Sequence, residues 1–343
     1  MCTYCNIVPI EVLLRLSEDT SYSADVRRGL AETALVDDQL RKLREQARKV
    51  TRASAAVAPS LVALAASPVN SVFTCNNATT LPGLPISSPQ TSPDQTVKNA
   101  FDTTSDVIAF YQQVFGRNSI DGSGMTVISS VHYGVNYNNA RWNGQQMLYG
   151  DGDGAVFVDF TGSNDVICHE MTHGVTQHSL QLVYINEPGG LNESMSDVFG
   201  SMFRQWKAGQ AVGAADWLIG GDIIGPAAAR KGITCLRDLA NPAAAHCIAA
   251  QPSHYSQYVP GMDPHFSSGI PNTAFYTAAM AIGANSWDTA GQIWYSAMTG
   301  SGASPNMSMK KFADRTRQVA AQIFPGNAVV ANAVDQGWIH VGL

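Results

Sequence analysis

DVICHEMTHGVTQHS (165–179) is the stretch on which the reading of this chain turns. Its composition suits a helix, and in a helix residues four apart lie on one face. His169 and His173 therefore point the same way, and both imidazoles can reach one ion. Glu170 follows the first histidine and projects beside that ion, where a carboxylate can take a proton from bound water. A helix that merely carries two histidines is the plainer reading, so a third ligand decides between them. Downstream, GLNESMSD (190–197) offers Glu193 and Asp197, again four apart. Glu193 can complete a three-ligand zinc site that keeps one position open for water. Asp197 can accept a hydrogen bond from the second nitrogen of a ligand histidine, fixing its tautomer. Met195, Val198, Phe199 and Met202 surround the two acids, which implies a buried helix, not a pair of solvated carboxylates.

The whole chain has 343 residues, 45% hydrophobic and 14% charged, enough for a globular protein of two domains. A net charge of −6 argues against nucleic acid as a partner. No apolar run is long enough to span a bilayer, so no membrane partner is expected. The start, MCTYCNIVPIEVLLRLSED, lacks a basic n-region, and Glu11 and Arg15 interrupt its apolar residues. It does not read as a signal peptide, which leaves a cytoplasmic enzyme or export by a non-classical route. Ala53 to Val69 is apolar after a basic segment, but it lies too far in to be a signal and reads as a linker. Among the six cysteines, Cys2 and Cys5 form a CxxC with no second pair to complete a zinc ribbon. Cys235 and Cys247 can form a disulfide or remain thiols.

Residues 24–50 carry apolar residues at helical spacing and predict one or two amphipathic helices. Residues 51–71 suit an exposed connector. Lys98 to Phe115 predicts a helix ended by Gly116. Met125 to Phe160 alternates apolar and polar residues between turn signals and reads as an antiparallel sheet. From about Asp165 the pattern is helical: 165–180, 191–207, 271–284, 286–300 and 307–323. The expected organisation is α+β: 1–60 as an N-terminal segment and linker, 61–164 β-rich, and 165–343 α-helical.

HEMTHGVTQ followed by NESMSD resembles the thermolysin family of zinc peptidases. The resemblance extends over nearly all of 72–343, through NNARWNGQQMLYGDGDG (138–154), SSGIPNTAFY (267–276) and VDQGW (334–338). CNIVPIEVLLRL (5–16) with FGRNSIDGSGM (115–125) is similar to the protealysin-like branch, whose N-terminal propeptide is short. It implies a two-domain thermolysin-like fold, zinc ligands His169, His173 and Glu193, and Glu170 as general base. His265 and Tyr184 are implied as donors to the oxyanion. His265 lies in DPHFSSGIPN, where the family has a glycine-rich loop, and Pro260 stands where its orienting acid is expected. Either Asp263 takes over or the loop shifts.

By the same resemblance, Asn139 and the carbonyl of Ala140 bind substrate backbone, and Arg237 binds the carbonyl beside the cleaved bond. A structural ion pair of Arg237 with Asp238 or another acid is the plainer alternative. Phe157, Phe160, Val166, Ile219 and Leu236 are implied to line the pocket for the residue after that bond. All are apolar, so cleavage before bulky hydrophobic residues of protein or peptide substrates is expected. Phe160 is larger than the leucine common in the family and narrows that pocket. The family's double calcium site is expected to be absent: Asp165 and Asp216 match ligands, but Arg204, Leu218 and Gly221 stand where acids are needed. Asp151-Gly-Asp153-Gly reads as a β-turn. Residues 1 to about 60 are implied to be a propeptide acting as intramolecular inhibitor, with Ile7, Val8, Pro9 and Ile10 as the inserting strand. Cys5 offers a thiolate for the zinc; an ordinary exposed cysteine is the alternative. Zinc is thus the expected cofactor and a self-processed endopeptidase the expected function. The altered loop before His265 favours instead a catalytically weak or inactive zinc-binding protein of the same fold.

Overall fold

The computed structural model describes residues 5–51, 68–302 and 304–343, and side chains are described outside 43–51. Cys2, most of the expected connector over 51–71 and the boundary near residue 60 lie outside the described residues; the ends of that connector are instead the last residue of a helix, Thr51, and the start of a strand at Asn70. In chain order the elements begin with β1 (Cys5–Asn6), α1 (Ile10–Glu18) and α2 (Ala24–Thr51). Then come β2 (Asn70–Thr74), β3 (Leu84–Pro85), α3 (Gln95–Phe115), β4 (Val127–Val131), β5 (Ala140–Trp142) and β6 (Met147–Tyr149). The rest is α4 (Asn164–Gln177), α5 (Asn186–Ala208), β7 (Leu218–Ile219), α6 (Pro226–Ala229), β8 (Arg237–Asp238) and α7 (Pro264–Ser267), then α8 (Gly269–Ile282), α9 (Thr289–Thr299), α10 (Met309–Ile323) and α11 (Ala328–His340).

Local chemistry sets the helix ends. The Asp94 side chain accepts from the Thr96 N–H at the start of α3, and Gly116 ends that helix with φ 66°. Ser308 and Asn327 cap α10 and α11 in the same way. The expected helix over 98–115 begins three residues earlier, at Gln95. A helix at 10–18 and another at 328–340 were not expected.

Six strands form one sheet in the order β1-β5-β6-β4-β2-β3. It is mixed, not antiparallel: β4 runs parallel to both β2 and β6. Alternation of apolar residues reports that a segment is half-buried, and it carries no information about the direction of its neighbour. β5 would be an edge strand, but β1 covers it, with Cys5 opposite Trp142 and Asn6 opposite Arg141. The N-terminal segment thus enters the sheet at β5, a strand that borders the cleft.

α4 lies between the sheet and α5. Gly174 permits its approach to β5, since a Cβ there would meet Ile120 at 2.6 Å and Trp142 at 3.3 Å. Gly200 permits the approach of α5, since a Cβ would meet the Asp165 carbonyl oxygen at 2.8 Å. Two glycines therefore let the histidine helix sit close enough to its neighbours for side chains from both to meet.

Candidate active site

His169 and His173, one turn apart on α4, face each other with their Nε2 atoms 3.0 Å apart. Glu193 on α5 brings Oε2 to 3.4 Å from His169 Nε2 and Oε1 to 3.5 Å from His173 Nε2. Oxygen and nitrogen ligands about 2.0–2.2 Å from a tetrahedral zinc stand roughly 3.3–3.5 Å from one another, so the three donors fit that ion. The outward nitrogens are occupied. His169 Nδ1 lies 2.9 Å from Asp197 Oδ1. His173 Nδ1 lies 2.8 Å from Asn192 Oδ1 and 3.0 Å from Ser196 Oγ. These bonds aim both Nε2 lone pairs at one point. Glu193 Oε2 is buried with no hydrogen-bond partner, as expected of an atom reserved for an ion. Burial alone would discharge His169, but Asp197 and Glu193 outweigh it and hold its pKa up at about 9.

Glu170 stands beside the trio. Its Oε2 accepts the Trp142 N–H at 2.6 Å, and its Oε1 is buried without a hydrogen-bond partner. Burial pushes the carboxyl up to about 8, with Glu193 adding to the rise and His169 opposing it. On the other side, Tyr184 OH donates to Glu193 Oε1 and lies 3.3 Å from His265 Nε2. Asp263 Oδ1 lies 2.7 Å from His265 Nδ1 and also accepts the His265 N–H, capping α7. The loop has kept an acid for this histidine two positions away instead of five.

Arg237, fully buried, donates Nε and Nη2 to Asp197 at 2.8 and 2.7 Å and Nη1 to the Ile7 carbonyl at 2.8 Å. Its partner is Asp197, not the adjacent Asp238. Ile7 N–H donates to the Ala140 carbonyl at 3.0 Å. Asn139 accepts the Val8 N–H and donates to the Val8 carbonyl, both at 3.0 Å. His265 Nε2 donates to the Asn6 carbonyl at 2.5 Å. Residues 6–8 therefore take backbone bonds from four of the five positions expected to bind substrate backbone or stabilise its carbonyl; Tyr184 bonds to Glu193 instead. Phe157, Phe160, Val166, Ile219 and Leu236 are fully buried in one apolar cluster with Ile7 and Val8.

The segment does not stay extended to Ile10. Pro9 is the N-cap of α1 with ψ 143°, its carbonyl accepts from Val12 and Leu13, and Ile10 opens the helix. Cys5 Sγ lies within 4.8 Å of ligand atoms of His173 and Glu193. Cys5 is buried, not exposed, and it is disulfide-bonded here.

Sequence reasoning missed several partners. Asn192 and Ser196 flank Glu193 with the spacing of one helix face, a signal that was legible. Asp37 of α2 was not. It is buried in the cleft, accepting from Asn139 Nδ2 at 2.8 Å and from Tyr137 OH, with Arg141 Nη1 at 3.8 Å. Away from the site, Asp153 Oδ1 accepts from Ala155 and Val156, so the chain bends over 154–156, after the Asp151–Gly154 stretch where a β-turn was expected.

No helix among the described residues is long and apolar enough to cross a membrane. Residues 69–177 match the family model described as thermolysin metallopeptidase, catalytic domain, and 180–343 match its alpha-helical domain. An extracellular metalloprotease of Pectobacterium carotovorum subsp. carotovorum is 42% identical over 259 residues, 73% of each chain. Protease PrtS of a Photorhabdus strain is 37% identical over 287 residues, 80% of this chain and 76% of its own. The precursor of protealysin, a metalloproteinase from Serratia proteamaculans, superposes with a TM-score of 0.83 at 32% identity, covering 98% of this chain and 99% of that one.

Proposed function

The chain belongs to the thermolysin family of metallopeptidases and is a metalloendopeptidase, and on that premise we propose that it is a zinc enzyme made as an autoinhibited precursor. The observation that carries the reading is the convergence of His169, His173 and Glu193 at one point with Glu170 beside it, in front of a strand that binds an extended backbone. Held by His169, His173 and Glu193, zinc would supply Lewis acidity and would make water more acidic. Glu170 takes a proton from water at the site and returns it to the leaving amine, its Oε1 buried beside the trio without a hydrogen-bond partner. His265 and Tyr184 donate to the carbonyl oxygen as negative charge develops on it. Asp263 holds the His265 tautomer, and Asp197 holds both His169 and Arg237. The apolar lining from Phe157 to Leu236 favours a bulky hydrophobic residue after the cleaved bond.

Residues 5–51 act as the inhibitor, with the maturation boundary near residue 60. Asn6, Ile7 and Val8 accept and donate the bonds a substrate would use. Asp37 adds a carboxylate to the cleft beyond them. The Asp263–His265 bond supplies the acid whose loss from the loop was the ground for an inactive protein, so the active reading is favoured. Arg204 lies 2.7 Å from Asp222, 3.6 Å from Asp165 and 3.7 Å from Asp216. A guanidinium among three acids supports the reading that the double calcium site is lost. The thiolate form of Cys5 as a zinc ligand requires the reduced chain.

Incubating the purified chain with and without a zinc chelator, while following its mass and N-terminal sequence, tests this reading. Chelator-sensitive loss of a segment ending near residue 60, with onset of peptide hydrolysis, is expected. Hydrolysis that survives full zinc removal would contradict it.

A further inference from the structure

Next to β8 lies a second cluster of metal-binding side chains that the proposed mechanism does not use. Cys235 directly precedes the Leu236–Arg237 pair, and Cys247 lies beside it through a parallel bridge. The frame is tight: Ile248 N–H donates to the Cys235 carbonyl at 3.0 Å, and Thr234 N–H donates to the His246 carbonyl at 3.0 Å. The two Sγ atoms are 3.7 Å apart and form no disulfide. Each sulfur and one His246 ring nitrogen lie within 4.8 Å of one another.

We infer that Cys235, His246 and Cys247 form a second site for a thiophilic divalent cation of the Zn2+ class. Two thiolates bound at ~2.3 Å to a tetrahedral ion stand about 3.8 Å apart, which matches the spacing of these sulfurs. His246 is oriented as metal-binding histidines commonly are: Asp238 Oδ2 takes one ring nitrogen at 3.1 Å and leaves the other as an acceptor. Asp238 is itself held, since its Oδ1 accepts from Ala240 at 2.8 Å and Asn241 at 3.1 Å. The sulfurs are buried, while the His246 side chain is 37% exposed, which gives an ion a path in from solvent.

The place of the site gives it a purpose. It pins a loop whose first residues include Leu236 and Arg237, both at the cleft, and whose last includes Ile248, whose carbonyl accepts from Arg15 of α1. A bound ion there holds substrate-contacting residues in register without touching substrate.

Cobalt titration of the metal-free, reduced full chain in a Cys5→Ser background tests the proposal. Two equivalents are expected, one of them with the thiolate-to-cobalt charge-transfer absorption that a His–His–Glu site cannot give. Cys235→Ser with Cys247→Ser should remove that equivalent and its band and leave the other. His169→Ala should do the reverse. His246→Gln, a change at a partly exposed residue, should weaken the second equivalent at least tenfold with the circular dichroism spectrum unchanged. A single equivalent without the band would overturn the proposal. So would finding Cys235 and Cys247 closed to alkylation until reduced in the chain as purified.

Discussion

Asn139 holds Val8 from both sides: its Oδ1 accepts the Val8 N–H and its Nδ2 donates to the Val8 carbonyl, each at 3.0 Å. One side chain thus makes a two-bond match to one backbone unit. If substrate later uses the same amide, Asn139→Ala has opposite effects on the two forms. Each lost buried bond costs about 1 kcal/mol. The intact precursor should hydrolyse a small peptide roughly tenfold faster than the parent precursor. The processed enzyme should lose roughly tenfold in kcat/KM, mostly through KM. Equal effects of the same sign in both forms would argue against a shared contact.

Asp37 makes the latch dependent on pH. Burial raises its carboxyl above the usual carboxylate range, although Arg141, Tyr137 and Asn139 pull it down. A carboxyl whose pKa is higher docked than free binds its proton more tightly when docked. Docking is therefore strongest below the ordinary carboxylate pKa and weakens as pH rises through the raised value. Leak activity of the intact precursor, measured against pH, should rise over that window relative to Asp37→Asn. A parallel profile for the two proteins would count against the latch.

His132 bridges Asp94, which caps α3, and Asp151, with ring nitrogens 2.9 Å from each carboxylate. The Asp151 hydrogen bond is the largest cause of a pKa raised to about 9, and burial opposes it. Folded above unfolded means that the contribution is complete below about 6.5 and is lost as pH rises to about 9. Both acids are partly exposed, which limits it to on the order of 1–2 kcal/mol. His132→Gln should lower Tm by several degrees at pH 6 and have little effect at pH 10. A constant difference across that range would refute the bridge as the cause.

Arg204 neutralises Asp165, a fully buried carboxylate, together with Asp216 and Asp222. Arg204→Gln should cost about 1–3 kcal/mol because it leaves that buried acid short of a cation. Added calcium should leave the Tm of the parent unchanged. A calcium-dependent rise of several degrees in the parent would show that the acids still bind the ion.

Helix periodicity made the centre of the site legible. His169 with His173, and Glu193 with Asp197, are each fixed by a four-residue spacing within one helix, so their faces follow from the sequence. What escaped was set by chain segments meeting from afar. The Trp142 N–H that reaches Glu170 belongs to a strand, and Asp37 meets Arg141 across most of the N-terminal half. Strand direction escaped for the same reason, since the β2–β4 pairing depends on the route taken by α3 between them. Asp263 was legible only as one of two choices, because a loop has no period to rank them.

The direct test of the central claim is the rate of peptide hydrolysis by processed Glu170→Gln, measured with its zinc content. Glu170 is proposed to move the proton without binding the ion, so the variant should keep one zinc at the His169–His173–Glu193 site and lose at least a hundredfold in kcat. Full activity with that zinc retained would contradict the account.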